Sequence, residues 1–327
     1  MSPTVTTMSL GVDLGGTKIE AVILNGDAMI ARRRVPTPGG YDAILGAVRE
    51  LVDAVEREAG LGRCDVVGIG TPGAISPASG LLENANTTAL NARPLDVDLA
   101  HALGRRVVLE NDANCFALSE ATDGAAAGAG SVFGVILGTG VGGGVVIGGQ
   151  LVRGPNAIAG EWGHNPLPWS SAWERPGPAC YCGKRGCIET WLSGAGLTRE
   201  ILLRTGHHLD GAAIAELAAH GEAHAVAALE LYADRLARAL ATVINVLDPE
   251  VVVLGGGLSN ISTLYRDVPA RWARYAFIGS GREHTGPSGR SDRLFTALRP
   301  ARWGDSSGVR GAARLVGARS SPAAGGA

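Results

Sequence analysis

One plan occurs twice in this chain, and it limits the folds open to it. An apolar run from Leu10 enters Asp13-Leu14-Gly15-Gly16-Thr17-Lys18 and resumes through Ala21-Val22-Ile23-Leu24. Much later, residues 132–137 enter Gly138-Thr139-Gly140-Val141-Gly142-Gly143-Gly144 and resume through Val145-Val146-Ile147. Short apolar runs on both sides of a glycine cluster read as buried strands joined by a tight turn. A strand–turn–strand opening that recurs predicts two similar α/β halves, and 327 residues are enough for two domains with a large core. The boundary is expected near residue 120. That gives an N-terminal α/β domain over 1–120, a larger C-terminal α/β domain over 121–320, and a tail of small residues over 321–327, expected to be disordered. Residues 124–130, almost wholly Ala and Gly, mark the passage between the two.

Within the first half, Asn25-Gly26 favours positive φ and predicts a hairpin into Asp27-Ala28-Met29-Ile30. Ile44, Leu45, Val48, Leu51, Val52 and Val55 recur at three and four, predicting a helix that Gly60 ends. A buried strand at 66–69 runs into the loop Gly70-Thr71-Pro72-Gly73. Residues 84–98 read as a polar, Asn-rich segment leading to a strand at 106–109, which ends in Glu110-Asn111-Asp112 before a helix over 113–121. In the second half, one helix is predicted over Ala223–Leu247, stopped by Asp248-Pro249. A buried strand at 251–254 follows and ends in Gly255-Gly256-Gly257. Gly304-Asp305-Ser306-Ser307-Gly308 opens a short helix, about 308–318, expected to pack back on the N-terminal domain.

Charge excludes some functions. Lys and Arg number 29 against 31 Asp and Glu, a net charge of −2, so no global field draws the chain to nucleic acid or a membrane surface. There is no long apolar window and no signal-peptide pattern, so a cytoplasmic enzyme is the expectation. Three of the five cysteines fall within eight positions, which favours a metal cluster over a disulfide framework.

The residues that carry chemistry fall in three groups. Bare backbone at Asp13, Gly15, Gly16, Thr17 and Lys18, and again at Gly138, Thr139, Gly140 and Gly142, can bring N–H groups against an anion. With Gly255, Gly256 and Gly257 as a third run, a clamp on a polyphosphate is expected, although tight hairpins also need glycine. Asp13 would orient Mg²⁺, through water, since this ion keeps part of its hydration shell; Lys18 would reach phosphate or lie on the surface. Asp112, between a strand and a helix, is either a base that accepts a hydroxyl proton or a helix N-cap. One carboxylate base, Mg²⁺ and phosphate turns make a sufficient kit for phosphoryl transfer. Lastly, His164, Cys180, Cys182 and Cys187 form a Cys3His set that fills all four positions of a tetrahedral zinc and leaves none for a reactive water. Glu161 and Glu189 flank it, fixed by the ligands and suited to gripping neighbouring sugar hydroxyls.

Asp13-Leu-Gly-Gly-Thr-Lys18, Glu110-Asn-Asp-Ala-Asn114, Gly138-Thr-Gly-Val-Gly142, Glu161-Trp-Gly-His164, Cys180-Tyr-Cys-Gly-Lys-Arg-Gly-Cys187-Ile-Glu189 and Val253-Leu-Gly-Gly-Gly257 resemble the ROK family of bacterial sugar kinases over nearly the whole chain. The resemblance implies a two-domain α/β fold of the sugar kinase/actin/Hsp70-like (ribonuclease H-like) type with a structural zinc site. It implies Asp112 as catalytic base, Asn111, Glu161, His164 and Glu189 as sugar ligands, and His164, Cys180, Cys182 and Cys187 as zinc ligands. His164 then serves twice, one ring nitrogen on the metal and the other free to meet a hydroxyl.

Within the family, His164-Asn-Pro-Leu-Pro-Trp169, Cys180-Tyr-Cys-Gly-Lys184 and Gly304-Asp-Ser-Ser-Gly-Val-Arg310 are most similar to the fructokinase or mannokinase branch; a polar insert at 282–293 departs from it. The residues before Leu10 leave no room for the helix-turn-helix of ROK repressors, so none is expected. The expectation is ATP-dependent phosphorylation of D-fructose at its 6-hydroxyl, with ATP, Mg²⁺ and structural Zn²⁺ as cofactors and, as is common in such kinases, a homodimer. The alternatives are a glucokinase, mannokinase or N-acetylhexosamine kinase, a non-enzymatic sugar sensor, or a zinc hydrolase, which needs an open metal position.

Overall fold

The computed structural model describes residues 8–60, 62–278 and 294–317, so the insert at 282–293 and the tail at 321–327 lie outside the described residues. In chain order the elements are β1 (Met8–Leu14), β2 (Lys18–Asn25), β3 (Ala28–Pro36), α1 (Tyr41–Glu58), β4 (Val66–Thr71), β5 (Ala74–Ile75), β6 (Leu82–Glu83), α2 (Leu95–Leu103), β7 (Arg106–Asn111) and α3 (Asp112–Thr122). They continue with β8 (Ser131–Leu137), β9 (Val141–Ile147), β10 (Gln150–Leu151), α4 (Ile188–Leu192), α5 (Gly194–Thr205), α6 (Gly211–Ala219) and α7 (Ala223–Leu247). The last are β11 (Val251–Gly255), α8 (Leu264–Asp267), α9 (Pro269–Trp272), β12 (Ala297–Pro300) and α10 (Ser307–Arg314). Two compact units result: Met1–Asp123 with Gln150–Ala159 and Ser306–Ala327, and Gly124–Gly149 with Gly160–Asp305.

In the first unit the sheet runs β3-β2-β1-β4-β7. β1 pairs antiparallel with β2 and parallel with β4, which pairs parallel with β7. One face is covered by α1, whose Ile44, Val48, Leu51, Val52 and Val55 are buried at the predicted spacing. The other receives α10 at unusually close range. A Cβ on Gly68 of β4 would lie 1.8 Å from the Ala312 carbonyl oxygen, and one on Gly11 of β1 2.3 Å from the Ala313 nitrogen. On Gly311 it would lie 1.7 Å from the Cys115 carbonyl oxygen of α3. Glycine inside these elements costs conformational entropy, and here it lets helix backbone lie directly on sheet backbone. Arg310 and Arg314 then tie α10 to Asp123.

Residues 84–98 are not polar throughout. Leu95, Leu99 and Leu103 lie four apart on the buried face of α2, with Asp96 and Asp98 between them, and Gly104 ends the helix at φ 58°. The intervening acids hid the period.

In the second unit β9, β8, β11 and β12 lie side by side in that order. β8 pairs antiparallel with β9 and parallel with β11, and β11 parallel with β12. This is the succession β2-β1-β4-β7 over again: one antiparallel hairpin followed by two parallel strands. The expected turn over 138–144 is shorter than the glycines imply, because β9 begins at Val141 and takes in Gly142, Gly143 and Gly144. α7 runs 25 residues and buries Leu229, Leu236, Leu240 and Ile244 against the sheet's core cluster.

Candidate functional site

Three parallel strands bring an acidic group together in the first unit. β1 carries Asp13 opposite Gly70 of β4, and Gly70 lies opposite Glu110 of β7. β7 ends at Asn111 and α3 begins at Asp112. Burial, then the charges of Asp112 and Glu20, push the Asp13 carboxyl up to about 7. Mg²⁺ takes few protein carboxylates and keeps several waters, and Asp13 is the residue that would meet it.

The helix N-cap is Asn111, not Asp112. Its Oδ1 accepts from the Ala113 and Asn114 amides at 2.9 and 3.3 Å, and its Nδ2 donates to the Gly73 carbonyl at 3.2 Å. Asp112 is the first helical residue and its Oδ1 accepts from the Ala113 amide at 2.7 Å. Glu110, which the sequence reading left without a role, is buried and accepts from the Asn111 amide and the Asn114 side chain, both at 2.9 Å, and from Arg153. It fixes the strand end that presents Asp112. In the turn before β2, the Gly15 amide donates to the Lys18 carbonyl at 3.0 Å and Thr37 Oγ1 donates to the Gly15 carbonyl at 2.7 Å. Gly16 and Thr17 are left exposed.

In the second unit, glycines let the Glu161–His164 segment press against β9. Gly160, at φ 91°, has no room for a Cβ, which would lie 2.3 Å from the Gly143 carbonyl oxygen; one on Gly163 would lie 2.3 Å from that of Val141. The Trp162 indole donates to the Gly142 carbonyl at 3.1 Å and meets Phe133 edge-on. Gly142 therefore serves the strand, away from the turn. At the turn itself a Cβ on Gly140 would lie 2.7 Å from Glu189 Oε2, and that oxygen accepts from the Val141 amide at 3.0 Å. A Cβ on Gly138 or Gly257 would face open space, while one on Gly256, at φ 80°, would lie 2.4 Å from the Leu137 carbonyl oxygen. Gly138 and the 255–257 run thus meet at the ends of the neighbouring parallel strands β8 and β11.

His164, Cys180, Cys182 and Cys187 converge, their ligand atoms all within 4.8 Å of one another. His164 Nδ1 lies 3.6 Å from Cys180 Sγ, and Cys182 Sγ lies 3.6 Å from Cys187 Sγ. A tetrahedral zinc with sulfur at 2.3 Å asks for edges of about 3.8 Å, so the group fits the metal and closes its coordination with protein. That removes the open position a zinc hydrolase needs. The backbone of Lys184 lowers the Cys182 thiol, whereas burial and the neighbouring thiols push Cys187 up to about 12, where ionisation calls for a cation. Burial also raises the Glu161 carboxyl, His164 opposing and Glu189 adding to the shift. Glu161, His164 and Glu189 are thus brought together as one wall. The second ring nitrogen of His164 is engaged: Tyr181 Oη lies 3.0 Å from Nε2.

A charged network behind this wall went unread in the sequence. Arg235 and Arg238 of α7 are buried and meet Glu174 at 3.0 and 2.9 Å, and Arg235 stacks over Trp191 at 4.3 Å. Burial acts to raise the Glu174 carboxyl, and hydrogen bonds from Arg238, the Ser171 amide and Arg235 outweigh it, holding it at about 2. Two arginines three apart inside an apolar helical stripe were the available signal.

A family model described as ROK matches residues 9–319. The N-acetyl-D-glucosamine kinase of Photobacterium profundum is 40% identical over 315 residues, covering 94% of this chain and 99% of that protein. A Yersinia pseudotuberculosis N-acetyl-D-glucosamine kinase is also 40% identical, covering 94% and 98%. Among solved structures, a ROK hexokinase from Thermus thermophilus superposes with a TM-score of 0.78 at 34% identity, over 94% of this chain and 97% of that one. A ROK family glucokinase from Streptomyces griseus, in complex with glucose and AMPPNP, gives 0.75 at 28%, over 94% and 99%. These relatives do not place the chain in the fructokinase or mannokinase branch. Within the motifs read that way, Gly308 lies beside Asp13, Arg310 pairs with Asp123, and His164 joins the cysteine run in the metal group. The chain belongs to the ROK family and has the two-domain α/β fold of ROK sugar kinases.

Proposed function

We propose that this protein is an ATP-dependent sugar kinase that phosphorylates N-acetyl-D-glucosamine at its 6-hydroxyl. The observation that carries the reading is 40% identity, over almost the full length of both chains, to N-acetyl-D-glucosamine kinases. It replaces D-fructose with a sugar that stood among the alternatives. Glucose is the second reading, favoured by the 28% identity, over almost the full length of both chains, to a ROK family glucokinase solved with glucose.

In this reading Asp112 accepts the proton of the 6-hydroxyl as that oxygen bonds to the γ-phosphorus of ATP and ADP leaves. Asn111 caps the helix that holds Asp112 and is the sugar ligand of the same unit. Glu161, His164 and Glu189 bind sugar hydroxyls, carboxylates accepting and imidazole donating. MgATP supplies the phosphoryl group when bound. Asp13 would hold the metal, and the phosphate turns would be Gly15, Gly16, Thr17 and Lys18 in the first unit and Gly138, Thr139, Gly255, Gly256 and Gly257 in the second. Gly140 and Gly142 go to the sugar side, because the first makes room for Glu189 and the second holds Trp162. Zinc fixes the wall and takes no part in the transfer.

The test is ADP release coupled to a reporter, with N-acetyl-D-glucosamine, glucose, mannose and fructose offered in turn. The reading expects the highest kcat/KM with N-acetyl-D-glucosamine. A higher value with fructose or mannose would overturn the choice of sugar, and no sugar-dependent ADP release would return the chain to the class of non-enzymatic sensors.

A further inference from the structure

Tyr181 stands between two of the zinc ligands, Cys180 and Cys182, so the metal group holds its backbone. The turn is tight: the Cys180 amide donates to the Lys184 carbonyl at 2.9 Å and the Gly183 amide to the Cys180 carbonyl at 3.1 Å. The side chain is 74% exposed. Its ring meets the His164 imidazole edge-on, with centroids 5.2 Å apart at 89°, and its Oη lies 3.0 Å from His164 Nε2. A hydroxyl group therefore already lies on His164, one of the three side chains assigned above to sugar hydroxyls.

His164 has its Nδ1 toward the cysteine sulfurs. A metal-bound imidazole carries its proton on the other nitrogen, so Nε2 is a donor with one N–H to give. The phenol oxygen and a sugar oxygen cannot both accept it well. We propose that Tyr181 is a competing occupant of the sugar site, whose hydroxyl holds His164 Nε2 and must be displaced by the sugar, so that it sets sugar affinity without entering the chemistry. This rests on the reading of His164 as a sugar ligand. An exposed phenol anchored by one hydrogen bond and a ring edge can swing away at small cost, and the sugar then exchanges one hydrogen bond for another.

The test is Tyr181→Phe, which keeps the ring edge on His164 and removes only the competing oxygen. The KM for sugar should fall about 3- to 10-fold, the worth of one net hydrogen bond, with kcat and the KM for ATP within about twofold. Calorimetric sugar affinity should rise in parallel, and zinc should remain at one per chain. A merely structural role would move zinc content or melting temperature and leave the KM for sugar unchanged. Tyr181→Ala is the second arm if the phenylalanine variant loses zinc. An unchanged or raised KM overturns the proposal; a rise means that the phenol binds the sugar. The comparison uses whichever hexose the wild type turns over, so failure with N-acetyl-D-glucosamine in the wild type sinks the sugar assignment and leaves the Tyr181 test intact.

Discussion

The β1–β2 and β8–β9 hairpins share a plan and use their glycines differently. In the first, Gly16 is exposed and a Cβ there would meet side-chain atoms alone, Thr87 Oγ1 at 3.1 Å and Asn86 Oδ1 at 3.9 Å. The turn stands beside the acidic group of Asp13, Glu20 and Asp112. In the second, the glycines run on into the strand and are filled by neighbouring chain: Glu189 at Gly140, and the carbonyl of Gly160 with the Trp162 ring at Gly143. Gly138 keeps open space. A duplicated motif has thus kept its backbone path and divided its uses. In the proposed reading the first copy serves the anion and its metal, while in the second Gly140 and Gly143 make room for Glu189 and for the segment that carries Glu161 and His164.

The comparison breaks first at the base. Asp112→Asn should lower kcat by about 10³-fold, within the range of a lost general base, while sugar affinity stays within a few fold; single-turnover kinetics and calorimetry measure the two. Substantial remaining turnover would remove Asp112 from the mechanism and leave the first unit with a metal site alone.

Next in size is the buried network behind the wall. Glu174→Gln leaves Arg235 and Arg238 short of their shared counter-charge, and removing one partner of such a group costs about 3–5 kcal/mol. The pH sign follows from the Glu174 carboxyl, held at about 2 when folded against an ordinary 4.5. Its contribution is full above the ordinary value and is lost as pH falls toward 2. Melting curves of the variant and the wild type should therefore lie far apart at pH 6–7 and converge as the solution is acidified toward pH 3. A gap independent of pH would mean that the ion pairs do not supply the stability.

Smaller again is the effect of zinc. Chelation should raise the KM for sugar about tenfold, a loss of about 1.4 kcal/mol, before it changes the KM for ATP, because the metal holds His164 and the segment before Glu189. Equal loss on both sides would erase the division of labour.

What could be read beforehand followed from local rules. The hairpins, α1, α7 and the Cys3His group were legible because apolar period, turn chemistry and ligand spacing are properties of neighbouring residues. The twofold use of glycine was not. Gly16 and Gly143 look alike in a string of letters, and only the close approach of Gly160 and Trp162 tells them apart. Tyr181 was passed over because the phenol's partner lies seventeen residues away on another turn. From sequence Asp112 reads as either base or cap, because two adjacent polar residues at a strand end can each take the cap; geometry gives it to Asn111. The choice of hexose was not legible for a related reason: the segments taken as markers of the fructokinase or mannokinase branch include residues used for metal geometry and helix packing, which do not single out fructose.

The division between the two hairpins is tested most directly by a pair of alanines. Gly16→Ala puts a methyl in the mouth of the first turn, and Gly140→Ala puts one 2.7 Å from Glu189 Oε2. Michaelis constants for both substrates should cross over: Gly16→Ala raises that for ATP about tenfold and leaves that for sugar, and Gly140→Ala does the reverse, each a loss of about 1.4 kcal/mol. If both variants raise the same constant, the two turns do one job and the account is contradicted.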